Sequence, residues 1–157
     1  MQTLILAIFG QGVFFGLMYA VWKANARRWN RLARFYRADD ELSEETIRCC
    51  PMRRMQTVIL VGGHVGWNSY KGIVSVGVTN QGIVLRLLPP FSFLHPPLFI
   101  PFRESRIEPR KWYLIGRTSQ LTVDQVSNVQ IILDDELLQW IEGVCPDSVL
   151  PCVQTSH

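Results

Sequence analysis

The stretch KGIVSVGVTNQGIVLRLL, residues 71–88, decides the fold. Val74, Val76 and Val78 alternate with Ser75, Gly77 and Thr79, which is the two-residue period of a strand with one apolar face. Asn80, Gln81 and Gly82 supply turn chemistry, and IVLRLL resumes an apolar, β-branched run. Two such runs around a short polar turn predict a β-hairpin.

Working outward, the same character recurs on both sides. MQTVILVG (55–62) is a short apolar run rich in β-branched residues. PPFSFLHPPLFIPF (89–102) is punctuated by prolines and reads as extended, with LFI a short strand. KWYLIG (111–116), QLTVD (120–124) and NVQIIL (128–133) are further strand candidates. The period then changes. DDELLQWIEGV (134–144) sets Leu137, Leu138, Ile141 and Val144 along one helical face, with acids in the first turn, where the helix dipole favours them. The expectation is six or seven short antiparallel strands, arranged as a small barrel or sandwich and closed by a C-terminal helix that protects an open end.

YKGIVSVGVTNQGIVLRLL, HPPLFIPFRES and VQIILDDELLQWI together resemble the bacterial pleckstrin-homology-like and GRAM-like domains over about residues 55–144. Those families share a "ligvTdeGlyl" hairpin, a short strand like "ipw.eI" and a closing helix. The resemblance implies a binding module for lipid headgroups, peptides or other subunits. Phosphoinositide-binding members carry several basic residues around the first hairpin, and here GGHVGWNSYKG offers only Lys71 and His64.

The N-terminal third has a different composition. Met1–Trp22 contains no charged side chain, and its 19-residue run LILAIFGQGVFFGLMYAVW would extend about 28 Å as a helix, close to the roughly 30 Å hydrocarbon core of a bilayer. A cleaved signal peptide would place basic residues before a shorter apolar core. The run is therefore read as an uncleaved transmembrane helix. Gly12 and Gly16 form a GxxxG helix-packing face, and Gln11 favours a hydrogen-bonding neighbour.

Residues 23–37, KANARRWNRLARFYR, follow with six basic residues and no acid. On a helical wheel, Trp22, Ala26, Trp29, Leu32, Ala33 and Tyr36 cluster on one side. Lys23, Arg27, Arg28, Arg31, Arg34 and Arg37 cover the other. This basic amphipathic helix is read as a seat on the membrane interface, in contact with anionic lipid headgroups. A neighbouring membrane protein is a second candidate for its Trp/Tyr face. No second basic patch or stacking platform points to nucleic acid. The positive-inside rule then places the N-terminus outside and the C-terminal domain in the cytoplasm, at the bacterial inner membrane. Residues 39–45, DDELSEE, return five acids in a polar connector that Pro51 ends. The layout read from sequence is an anchor at 1–22, a juxtamembrane segment at 23–54, the β domain at 55–144 and a tail at 145–157.

Catalytic and metal signatures are not found. His64, His95 and His157 have no partnered nucleophile or orienting carboxylate in sequence. His95, before two prolines, reads as fixing its loop by a hydrogen bond. GGHVG lacks the GxxxxGK[ST] pattern of a phosphate loop. Cys49, Cys50, Cys145 and Cys152 lack the spacing of a zinc site and are read as free thiols. No cofactor is expected. Phe91, Phe93 and Phe99 in the proline-rich stretch, with Arg103, Arg106, Arg110 and Lys111 after it, form a candidate edge for docking a partner or lipid. The function read from these features is non-catalytic. It is an accessory subunit that docks on integral membrane protein subunits of a larger complex. An energy-transducing complex, respiratory or photosynthetic, is one home for such a subunit, although no residue specifies it. The alternative is an adaptor that binds anionic headgroups or a soluble partner.

Overall fold

The computed structural model describes residues 2–38, 42, 43, 45, 46, 50–62, 67–112, 116–126 and 128–145. A long helix α1 (Gln2–Ala33) precedes seven strands: β1 (Met52–Val61), β2 (Trp67–Val78), β3 (Gly82–Leu87), β4 (Leu98–Pro101), β5 (Ser105–Trp112), β6 (Gly116–Val123) and β7 (Gln130–Asp134). Helix α2 (Asp135–Val144) follows. All seven strands lie in one sheet of order β4-β3-β2-β1-β7-β6-β5, and every pairing is antiparallel.

The order explains the barrel. β4 and β5 are the two edges of the sheet, yet they are consecutive in the chain, joined by the 3₁₀ turn Phe102–Glu104. A three-residue link can connect opposite edges only if the sheet curls until they meet, so the sheet is a nearly closed barrel. β1 makes the bend possible. It pairs with β2 over most of its length and with β7 only at Ile59–Val61, and its register slips between Arg53 and Val58. Met55 sits there at φ 58°. Such irregularities kink a strand and raise its twist.

The hairpin read from 71–88 is present: Val74 faces Leu87, Val76 faces Leu85 and Val78 faces Ile83. Thr79 closes the turn, its hydroxyl accepting from the backbone N–H of Gly82 at 3.1 Å. Gly82 has to be glycine, because a Cβ there would lie 2.3 Å from the carbonyl oxygen of Ile100. The alternation of Val74–Val78 fills the barrel interior, but Ser75 and Gly77 are buried as well. The outer face of this hairpin lies under the segment after α1, where Ala38, Val84 and Phe99 form a small second core with Leu42 and Met52 against it.

At the C-terminus, Asp134 caps α2, accepting from the Glu136 backbone N–H at 3.2 Å. Leu137 and Ile141 enter the main core.

Two readings of the N-terminus are corrected. Among the described residues no helix is long and apolar enough to cross a membrane. Gly10, Gln11, Gly12 and Gly16 dilute the apolar run before Trp22. Without a spanning helix, the single-pass anchor, the inner-membrane location and the outward N-terminus lose their basis. The second correction concerns the separate amphipathic helix: residues 23–33 continue α1 without a break, and their apolar stripe goes into the barrel. Ala26, Trp29 and Leu32 are buried, as is Tyr36 just beyond the helix, and the last three belong to the main core.

Candidate interaction surface

The joint between α1 and the barrel is aromatic and hydrogen-bonded. Trp29 is fully buried and its indole N–H donates to the Pro96 carbonyl at 2.7 Å. Its ring lies edge-on to Tyr70 of β2 and to His95 of the β3–β4 loop, with centroids 5.3 and 5.8 Å away. Trp22, about two turns earlier, meets the same loop: its N–H donates to the Phe93 carbonyl at 3.0 Å and its ring lies 5.1 Å from His95. Arg28 reaches the other wall, donating to the Gly62 carbonyl at 2.8 Å and to the Asn68 side-chain oxygen.

Tyr36 anchors the chain after the helix. Its hydroxyl donates to Glu104 at 3.2 Å and accepts from the Gln125 backbone N–H at 3.1 Å, while its carbonyl accepts from Phe99 N–H at 2.8 Å. Burial pushes the Tyr36 hydroxyl up to about 12, with the Glu104 and Asp124 charges adding to the effect and the Gln125 N–H opposing it. Burial likewise raises Tyr70, opposed by Asn68 and the Arg28 charge.

His95 is the centre of this joint. It is 3 % exposed; Nδ1 lies 3.0 Å from the Phe93 carbonyl, within its own loop, and Nε2 has no hydrogen-bond partner. Burial lowers its pKa, against the opposing pull of the Phe93 carbonyl. The proline-flanked loop is therefore a clamp on the helix. A loop-fixing role for His95 is legible in the sequence, but the rings around it are not, because Trp22, Trp29 and Tyr70 lie 73, 66 and 25 residues away in the chain.

Beyond the clamp, no described residue covers α1. Phe9, Val13, Phe14, Phe15, Leu17, Met18, Tyr19 and Val21 are exposed, Phe9 at 72 % and Phe15 at 66 %. Gln11 is exposed, and a Cβ added at Gly10, Gly12 or Gly16 would meet nothing within 4 Å. On the side of α1 away from the core, Lys23, Arg27, Asn30, Arg31 and Arg34 line a shallow groove of about 370 Å³.

The other sequence candidates divide. Phe91 and Phe93 stay at the surface, Phe91 against Trp22 at 5.6 Å between centroids. Phe99 is buried at 2 % in the outer core and offers no docking edge. Arg103 is exposed, and Arg106 is 3.9 Å from Asp124. Arg37 is exposed beside its bridge to Leu98. The side chains of Arg110 and Lys111 lie outside the described residues, as do His64, His157, Cys49 and Cys152. The phenylalanine and arginine edge is thus not one continuous surface among the described residues.

A second cleft, about 650 Å³, flanks the β2–β3 turn and is lined by Ser43, Glu45, Thr46, Cys50, Thr79 and Asn80 among others. Ser43 and Thr46 bond each other at 2.8 Å, which ties up their hydroxyls rather than activating one. Cys50 and Cys145 are partly buried, and the Cys145 thiol donates to the Thr79 carbonyl at 3.6 Å. Among the described residues no three His, Cys, Asp or Glu side chains group to hold a metal ion.

No protein-family model matches this chain, and no curated protein is significantly similar to it.

Proposed function

We propose that this chain is a non-catalytic accessory subunit, with the barrel as a rigid mount and the free half of α1 as the element that docks into a larger protein assembly. One observation carries the reading. A helix whose second half is locked into a core extends a first half that is apolar and uncovered. Apolar area left in water is unfavourable by roughly 25 cal/mol per Å², and exposed patches of this kind mark interaction sites. The partner's surface is apolar helix, since Gly12 and Gly16 allow a neighbouring helix to come close. The resemblance of residues 55–144 to pleckstrin-homology-like binding modules points the same way.

The test uses the full chain in its native cells, with a C-terminal tag and a photo-crosslinking residue in place of Phe14. The expected result is a discrete complex on a native gel, of fixed stoichiometry, with crosslinks from position 14 to one subunit. A double substitution, Phe14→Ser with Leu17→Ser, should release the chain as a lone species. A wild-type chain that migrates alone and yields no protein crosslink overturns the proposal.

A further inference from the structure

Lys23, Arg27, Arg31 and Arg34 form a row of four exposed cations, and none is paired with an acid among the described residues. Arg28, on the flank toward the barrel, differs: it is tied to Gly62 and Asn68. Like charges four residues apart repel and weaken a helix. Here the opposite stripe, Ala26, Trp29 and Leu32, holds the segment helical by its burial in the core. The repulsion stays in the free chain and is available to be relieved by a partner.

The row has a definite geometry. Its members are four, four and three residues apart, so it runs about 16 Å along the axis and stays within an arc of about 80°. Gly16 falls in the same arc and Gly12 about 20° beyond its edge. One side of α1 therefore leads from a surface of close approach to a line of positive charge.

Resting on the docking role proposed above, we infer that the segment lying on α1 is a helix bearing carboxylates at the matching four, four, three spacing. Two helices laid side by side share the same rise per residue, so each acid meets one cation in a single register. Guanidinium groups bind carboxylates in a bidentate, directional way. A small anion would engage one or two of these side chains and leave the others unbalanced. Charge complementarity of this kind fixes the register of the pair and speeds its encounter, while the apolar half of α1 contributes the contact area.

The test pairs the full-length chain with two synthetic helical peptides. They share small and apolar residues that face Phe9–Val21. One carries Glu at the four, four, three positions, and the other Gln. The Glu peptide should bind about tenfold more tightly at low salt, equivalent to about 1.4 kcal/mol, and the advantage should shrink as salt screens it. Arg27→Glu with Arg31→Glu should reverse the preference, and Arg27→Gln with Arg31→Gln should abolish it. These side chains are exposed, so circular dichroism of the variants should match wild type. Equal affinity for the two peptides overturns the inference. So does charge-dependent binding to phosphatidylserine vesicles, absent on phosphatidylcholine vesicles, by a chain that does not distinguish the peptides. The two readings fail separately: a lone wild-type chain on the native gel defeats the accessory role, and peptide equality defeats the acidic row.

Discussion

The two halves of α1 share one backbone geometry and differ in what covers them. From Ala26 onward, apolar residues recur every three or four positions, and the stripe they make is buried, Trp29 and Leu32 at 0 % exposure. From Phe9 to Val21 apolar residues go round the helix, and none of the described residues lies over them. Periodicity is the difference. A stripe alternating with charge describes a helix that meets its own protein on one side. An unpatterned apolar run describes a helix that has to be surrounded.

Substitution in each half should break or sharpen that contrast. The largest effect belongs to Trp29→Ala, which empties the middle of the joint and orphans the Pro96 carbonyl. Truncations of this size cost about 3–5 kcal/mol, read by chemical denaturation of the full chain. Tyr36→Phe comes next. It removes the acceptor of the Gln125 N–H and the donor to Glu104, and should cost about 1–2 kcal/mol. It should also change the alkaline limb. With the folded hydroxyl pushed up to about 12 from an ordinary 10.0, the wild type keeps this contribution below pH 10 and loses it as pH rises toward 12. The phenylalanine variant should lack that part of the loss.

His95 sharpens the comparison from the acid side. Burial disfavours its charged form, so the unfolded chain takes up a proton near its ordinary 6.5 before the folded chain does. Stability is therefore full above pH 6.5 and falls as pH drops through it toward the folded value. The groups facing the ring are Trp22 and Trp29 from α1 and Tyr70 from β2, and none of them ionises in that range. A urea series from pH 8 to pH 5 should show a shallower decline for His95→Gln. The smallest effect is expected in the uncovered half: Phe14→Ser should change the stability of the isolated chain by less than about 0.5 kcal/mol. A large loss there would mean that the two halves are not distinct.

The sequence made some of this legible. Strict alternation at Val74–Val78 gave the hairpin, and Asp134 before Leu137 and Ile141 gave the capped helix. The stripe Ala26, Trp29, Leu32 is equally plain, yet its pattern suits a membrane interface or a neighbouring membrane protein as well as the barrel that buries it. A helical stripe encodes that something covers it and leaves the identity of the cover unstated. β5 was missed because SRIEPRKW is polar and contains Pro109. Its place at the edge of the sheet tolerates both, as one side of an edge strand needs no partner. The clamp was hidden for a different reason: His95 and its aromatic neighbours come together only through the pairing of strands far apart in sequence.

The position of β1 between β2 and β7 has a consequence for biosynthesis. Ile59 waits for Ile132, so the barrel cannot be completed until β7 has left the ribosome. Until then the partners of Trp29 in β2 and the β3–β4 loop are present, but the core they share with β6 and β7 stays open. Non-local closure of this kind folds slowly and exposes the chain to aggregation. The interval before residue 130 emerges is thus when this protein most needs a chaperone or its partner at hand.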